Sequence, residues 1–187
     1  MPSIKLKDED KHTCRKVALE SIQHGIQTGS ALEVNTSDYS RDLQQTLASF
    51  VTLHKQGQLR GCIGTLEARK PLIDDIAEHA FAAAFQDPRF PAVTVNEVPE
   101  LDIEISVLTK PVPISFISEE DLVKQIRPGI DGLILEYGYN RGTFLPSVWE
   151  QLPDAKDFFQ QLKGKAGLPA NWWSDDANIS RYETLKF

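Results

Sequence analysis

A strongly apolar helix, predicted between Lys70-Pro71 and Gln86, constrains this chain more than any other feature of its sequence. Proline suits the first turn of a helix, and the helix is expected to end before Asp87-Pro88-Arg89-Phe90-Pro91, because a residue that precedes proline avoids the helical region. The apolar residues of the segment cover an unusually broad face: Leu72, Ile73, Ile76, Ala77, Ala80, Phe81 and Ala84. We therefore predict that this helix packs across a sheet, with Ile76 and Ala80 buried.

The strands of that sheet are indicated by two patterns. Apolar and polar residues alternate from Leu101 to Val107, which is typical of a strand with one buried face. Two further runs, 47–54 and 58–66, flank a short polar break with Gly57 and predict an antiparallel hairpin. Regular pairing around a Gln56-Gly57 turn makes His54 the partner of Leu59 on the neighbouring strand. The His54 side chain is then expected on one face of the sheet and the Cys62 side chain on the other.

The remaining segments predict a mixture of helices and hairpins. An amphipathic helix is expected over residues 7–28, stopped by Gly29, with Cys14 buried on its apolar stripe. A short helix is expected from Ser118 to Ile126, followed by a hairpin whose strands are residues 132–137 and 143–145 and whose turn is residues 138–142. A helix after Asp154 that stops at Gly167 and a final strand over 179–187 complete the chain. Pro111 and Pro113 are expected to break the strand before them.

This order of elements favours the α+β class, with a mainly antiparallel sheet flanked by helices. A Rossmann-type parallel sheet is the weaker alternative, and no glycine-rich dinucleotide or nucleoside triphosphate motif follows any predicted strand. A length of 187 residues suits one large domain or two small lobes around a shared core, and we expect a single two-lobed domain over 1–187.

Composition excludes several classes of partner. With 20 Lys and Arg against 27 Asp and Glu, the net charge of −7 disfavours nucleic-acid binding. The longest small-apolar run, 80–85, is far short of the about 20 residues that a membrane helix needs. Residues 1–10 lack the apolar core of a signal peptide, and only two cysteines occur, so we expect a cytoplasmic protein in which Cys14 and Cys62 are not disulfide-bonded.

The segment Leu59-Arg60-Gly61-Cys62-Ile63-Gly64-Thr65 is the candidate for chemistry, because glycines inside a strand commonly mark a close approach by backbone or ligand. Strict alternation puts Arg60, Cys62 and Gly64 on one face, where a guanidinium beside the thiol would favour the reactive thiolate. The alternative is that Cys62 is a small core residue and the glycines permit a bulge.

Polar residues elsewhere extend this candidate site into a cleft. Its members are Arg60, Cys62, Thr65, Asp87, Arg89 and Glu104. The fork geometry of the two arginines suits a small anionic ligand, although Asp87 is equally suited to a local bridge to Arg89. The histidines, at 12, 24, 54 and 79, offer no convincing general base, and the spacing of acids, histidines and cysteines gives little support for a metal.

These segments closely resemble the AMMECR domain family, named for the Alport syndrome, midface hypoplasia and elliptocytosis chromosomal region. The resemblance is carried first by the signature Leu59–Gly64 and by the segment Asp87–Pro91, which contains Phe90. Further matching segments are residues 50–53, Phe144-Leu145-Pro146-x-Val148, residues 165–168 and Arg181-Tyr182. It implies a two-lobed α+β fold. In prokaryotes, such domains resemble protein A of the AmmeMemoRadiSam system, which is encoded with a Memo-like protein and a radical SAM protein. Where the family often has a second cysteine, this chain has Lys163, so any essential thiol chemistry would rest on Cys62 alone.

Two functions from different classes follow. The first is an accessory module that binds a ligand or a partner protein, acting with Memo-like and radical SAM proteins through a cleft at Leu59–Gly64. Its ligand-binding residues would be Arg60, Gly61, Gly64, Thr65, Asp87, Arg89, Phe90 and Glu104. The alternative is a cysteine-dependent transferase or hydrolase with Cys62 as nucleophile. The sequence identifies no cofactor for either.

Overall fold

The apolar helix is present as α2 (Leu72–Phe85) in the computed structural model, which describes residues 4–187. It covers one face of a four-stranded sheet, with which it shares a hydrophobic core. Ile76 and Ala80 are completely buried, as predicted. The strands, in the order β2-β1-β3-β8, are β1 (Ala48–Lys55), β2 (Gln58–Gly64), β3 (Leu101–Leu108) and β8 (Thr184–Lys186).

The first helix, α1 (Asp8–Thr28), packs against α2, and it ends as predicted at Gly29, whose φ of 76° is readily adopted only by glycine. Ser21 on α1 donates a hydrogen bond of 2.6 Å to the backbone carbonyl of Ala77 on α2. Cys14 is fully buried on the inner side of α1, and this burial raises the pKa of its thiol to about 12. Cys14 and Cys62 are both free thiols, as predicted.

The chain forms two compact units. The first runs to Leu108 and includes Leu185–Phe187, and the second is Thr109–Thr184. The second unit contains α3 (Glu119–Gln125), α4 (Ala155–Lys165) and a sheet ordered β4-β7-β5-β6, built from β4 (Val112–Pro113), β5 (Gly132–Tyr137), β6 (Asn140–Phe144) and β7 (Asn178–Tyr182). The predicted short helix after Ser118 is present as α3, and it is capped by the Ser118 hydroxyl, which accepts the Asp121 N–H at 3.1 Å.

Three details differ from the sequence predictions. The expected last strand is two strands, β7 and β8, because Glu183 leaves the ladder and exchanges hydrogen bonds with Thr109 at 2.8 and 2.9 Å. The strand before Pro111 and Pro113 ends at Leu108, as predicted, but the sequence did not predict that this segment also contains β4, an edge strand, where proline is tolerated. The second hairpin turns within two residues, Gly138 and Tyr139, rather than five.

The fold class is α+β with antiparallel sheets, as predicted. The buried apolar residues form two clusters, one in each unit, where the sequence suggested one shared core, because each sheet is covered by helices of its own unit. Within residues 4–187, no helix is both long and apolar enough to cross a membrane. Residues 1–3, part of the stretch examined above for a signal peptide, lie outside the described residues.

Candidate functional site around Cys62

A β-bulge at Arg60 decides which way Cys62 faces. Leu59 pairs with His54, as predicted, but Gly61 pairs with Leu53, so Arg60 is an extra residue without a partner on β1. Cys62 therefore lies opposite Thr52, whereas regular pairing would have placed it opposite Val51. The prediction that His54 and Cys62 lie on opposite faces is wrong, because one inserted residue moves every later side chain of β2 to the other face.

Cys62 lies on the outer face of the sheet, the face that α2 does not cover. It is half-buried, and its Sγ lies 3.2 Å from the Thr52 hydroxyl. Thr52 in turn lies opposite Glu104 on β3, and Lys186 on β8 binds the Glu104 carboxylate at 2.9 Å. Cys62, Thr52 and Glu104 thus form a polar row across three neighbouring strands.

The backbone of Cys62 points away from β1. Thr65 donates to the Ser49 carbonyl at 3.1 Å, and the alternation of an antiparallel ladder then makes Cys62 and Thr52 a non-hydrogen-bonded pair. Because β2 is an edge strand, the Cys62 N–H and C=O have no neighbouring strand. Side chains replace it: the N–H donates to Asp87 Oδ2 at 2.9 Å, and the C=O accepts from Arg89 Nη2 at 3.4 Å.

Asp87 and Arg89 also bind each other, in the geometry of a fork. Arg89 Nε donates to Asp87 Oδ1 at 3.0 Å and Nη2 to Oδ2 at 2.7 Å. The pKa of the buried Asp87 carboxyl is held well below its usual value, first by the Arg89 guanidinium and then by the N–H of Cys62, against the opposing effect of burial. The Arg89 guanidinium also lies over the Phe90 ring, 5.5 Å from its centroid. Asp87 is thus a fixed anion that holds the edge of β2.

Arg60 has a different partner from the one the sequence suggested. Its Nε and Nη2 donate to the two carboxylate oxygens of Glu97 at 3.0 and 3.2 Å. This guanidinium, together with the N–H of Thr94, lowers the pKa of Glu97 to about 2. Arg60 is 9% exposed, and its Nη1 is buried with no hydrogen-bond partner in the described part of the chain. The guanidinium that contacts Cys62, at its backbone carbonyl, is therefore that of Arg89 and not that of Arg60.

The two glycines of the motif are required by close packing. A Cβ on Gly61 would lie 2.1 Å from the carbonyl oxygen of Ala83 on α2, and a Cβ on Gly64 would lie 2.4 Å from the Ser49 carbonyl oxygen and 2.3 Å from the Phe50 ring. The close approach that the glycines were expected to mark is therefore made by neighbouring residues of this chain at both positions. Thr65, just beyond the strand, uses its hydroxyl to accept the Glu67 N–H at 3.1 Å.

A second polar cluster, which the sequence reasoning missed, lies on the inner side of the same sheet. Asp75 Oδ2 accepts the Ser49 hydroxyl at 2.6 Å and lies 3.1 Å from His79 Nδ1. Ser49 and Asp75 are buried, and the His79 side chain is 13% exposed. The four-residue spacing of Asp75 and His79 on a helix is a signal that could have indicated their contact.

The structure thus groups only part of the predicted cleft. Cys62, Asp87 and Arg89 are in direct contact, with Phe90 beside Arg89, and Glu104 lies in the same polar row. Arg60 binds Glu97, Gly61 faces α2, and Thr65 forms a local turn, so these three serve other contacts. Two residues that the sequence did not single out contact side chains of the motif: Thr52 contacts Cys62, and Glu97 binds Arg60. Lys163 lies in the second unit and pairs with Glu119.

Comparison with known proteins gives consistent matches over most of the chain. The AMMECR1 family matches residues 15–187. A protein from Methanothermobacter thermautotrophicus is 39% identical over 184 residues, which are 97% of this chain and 95% of that protein. A protein from Thermotoga maritima is 35% identical over 179 residues, or 95% and 98% of the two chains. The crystal structure of uncharacterized protein PH0010 from Pyrococcus horikoshii superposes with a TM-score of 0.83 at 33% identity, covering 97% of this chain and 92% of that one.

Proposed function

The chain belongs to the AMMECR1 family, and we propose that it acts as an accessory module that binds a partner protein through the outer face of β2 around Cys62. The observation that carries this proposal is the clamp on Cys62: Asp87 holds its N–H and Arg89 its C=O. The clamp fixes the edge strand, so the thiol and its neighbours form a rigid surface. Rigid elements suit recognition because little conformational entropy is lost on binding.

The surroundings of the thiol favour binding over catalysis. A nucleophilic cysteine needs a base within hydrogen-bond reach, usually a histidine. The hydrogen bond of Cys62 Sγ is to the Thr52 hydroxyl, and within residues 4–187 no histidine forms a hydrogen bond to Sγ. His79, the histidine best oriented by a carboxylate, binds Asp75 on the side of the sheet covered by α2.

The arginines favour a protein partner over the small anion suggested by the sequence. Both forks already bind carboxylates of this chain, Arg60 that of Glu97 and Arg89 that of Asp87. A second anion would have to displace an internal partner in each case. The outer face instead offers half-buried Phe50, Thr52 and Cys62 beside charged groups, a mixture that is typical of a protein interface.

The partners that we propose are a Memo-like protein and a radical SAM protein, the two implied by the family resemblance. We propose that the encounter takes place in the cytoplasm, in keeping with two unpaired thiols. Both partners are proposed to contact the same unit of this chain, the one that contains β2.

The test is calorimetric titration of each partner, from the same organism, into this protein. Thr52→Arg places a long cation in the middle of the outer face and should weaken binding at least about tenfold. Thr28→Arg, at the exposed end of α1, is the matched control and should bind like the unchanged protein. Cys62→Ser should keep both the fold and the binding, because a hydroxyl can also contact Thr52.

Three results would oppose this function. Neither partner binding the unchanged protein would overturn it, and so would full binding by a folded Thr52→Arg variant. The cysteine-enzyme alternative would gain if iodoacetamide alkylated Cys62 at neutral pH faster than free cysteine, because rapid alkylation requires thiolate.

A further inference from the structure

A cavity of about 680 Å³ in the second unit, remote in sequence from the Cys62 motif, is lined by several charged side chains. It is lined by Ser118, Glu119, Glu120, Val123, Lys124, Lys156 and Trp173. Its volume is within the range of sites that hold small molecules. The side chains beneath and around it define the chemistry of a ligand.

One of the lining carboxylates, Glu119, is paired with a buried lysine that does not itself line the cavity. The Lys163 side chain is 2% exposed, and its ammonium group donates to Glu119 Oε1 at 2.5 Å and to the Ala170 carbonyl at 3.4 Å. It also lies over the Phe159 ring, 5.2 Å from the centroid. Burying a lysine is costly, and a buried ion pair generally stabilises a protein no better than packed apolar side chains. The pair of Lys163 with the partly exposed Glu119 therefore carries a desolvation cost that packed apolar side chains would avoid.

The lysine fixes one of the two carboxylates that line the cavity. Glu119 is 35% exposed, and one of its oxygens is held by Lys163. Its other oxygen accepts no hydrogen bond from residues 4–187, so a fixed acceptor is available to a ligand that carries N–H donors. Trp173, braced edge-on by Phe116 and Phe159, adds an aromatic wall.

Two exposed lysines, Lys124 on α3 and Lys156 on α4, supply the opposite charge. Neither forms an ion pair in the described part of the chain. A single cavity thus offers two carboxylates, those of Glu119 and Glu120, an apolar wall and two ammonium groups. The complement of that set is a small molecule with an ammonium group, an apolar body and a carboxylate.

We infer that this cavity binds a small zwitterion of the amino acid or dipeptide class. The ligand's ammonium group binds Glu119, its side chain packs on Trp173 and Val123, and its carboxylate binds Lys124 and Lys156. The site lies within the second unit and does not depend on the function proposed for Cys62.

Calorimetry with defined probes tests the inference. The probes are L-leucine, L-phenylalanine and leucyl-phenylalanine, together with phenethylamine, which lacks the carboxylate, and 3-phenylpropanoate, which lacks the amine. We expect at least one zwitterion to bind, and the two single-charge analogues to bind at least about tenfold more weakly, because each leaves charged groups of the site unpaired. No binding of any zwitterion at about 10 mM would overturn the inference, and so would equal binding of zwitterion and analogues.

Variants on one helix separate binding from folding. Lys156→Gln removes an exposed ammonium group at the cavity. It should lower the affinity for the zwitterion about tenfold and leave the affinity for phenethylamine unchanged. Lys165→Gln, also on α4 but not lining the cavity, is the control and should change neither. Lys163→Met combined with Glu119→Gln removes the whole buried pair, and should keep the fold but lose zwitterion binding. Unchanged binding in that double variant would contradict the inference.

Discussion

Replacing Gly61 by alanine should disrupt the contact between β2 and α2. The added Cβ would lie 2.1 Å from the carbonyl oxygen of Ala83 and 3.1 Å from its carbonyl carbon. An ordinary contact needs more than 3.4 Å, so helix and strand must separate by about 1 Å or more. The contact is with backbone, which cannot rotate away as a side chain would.

The expected cost combines two opposing effects. Overpacking of a core costs about 1–3 kcal/mol, and more where neighbours cannot adapt. Replacing glycine by alanine also reduces the freedom of the unfolded chain, which stabilises by about 0.4–1 kcal/mol. Because the clash is with backbone, the overpacking cost should reach the upper end of its range, about 3 kcal/mol or more. We therefore expect a net loss of at least about 2 kcal/mol, or a Tm lower by at least about 4 °C for a chain of this length.

Circular dichroism during thermal unfolding measures the change, and Gly164→Ala is the matched control. Gly164 lies within α4, and a Cβ there would meet no atom within 4 Å. Alanine is the better helix former, so this variant should be stabilised by up to about 1 kcal/mol. A Gly61→Ala protein with the Tm of the unchanged protein would refute the close approach of α2 to β2.

Further predictions concern the same unit. Gly64→Val should lower the Tm, because its Cβ meets the Ser49 carbonyl, and unchanged stability with lost partner binding would instead favour an open cleft. Glu97→Gln should destabilise by about 1–2 kcal/mol near neutral pH. Because the pKa of Glu97 is lowered to about 2 from an ordinary 4.5, its contribution is complete above pH 4.5 and lost as the pH falls toward 2, so urea unfolding of variant and parent should converge there. A thiol reagent at pH 8 should modify one cysteine in the native protein and two after unfolding, since Cys14 is buried with a pKa near 12, and native modification of Cys14 would contradict its burial.

The elements with local signals were predictable from the sequence. The spacing of apolar residues in α2 reports its buried face, and Ser118 caps α3 with its own side chain. Gly29 ends α1 because the left-handed backbone favours glycine. Each of these signals lies within a few residues of the structure that it specifies.

The candidate site was only partly predictable, because its geometry depends on partners distant in sequence. The bulge at Arg60 is accompanied by a fork to Glu97, which lies 37 residues further along the chain. Asp75 meets Ser49 across 26 residues. Alternation within a strand predicts a face only while pairing is regular, and a bulge removes that condition.

The contacts of the motif separate what the fold requires from what it does not. Gly61 and Gly64 are required because neighbouring backbone leaves no room for a Cβ, and Arg60 is required as the partner of Glu97. The clamp by Asp87 and Arg89 binds the backbone of Cys62, and any residue other than proline could supply the same N–H and C=O. Within residues 4–187, the thiol has its hydrogen-bond contact with Thr52, which serine could also make. Contacts within the fold therefore account for the glycines and the arginine of the motif. They do not require a cysteine at position 62, where serine should serve the proposed partner-binding face equally well.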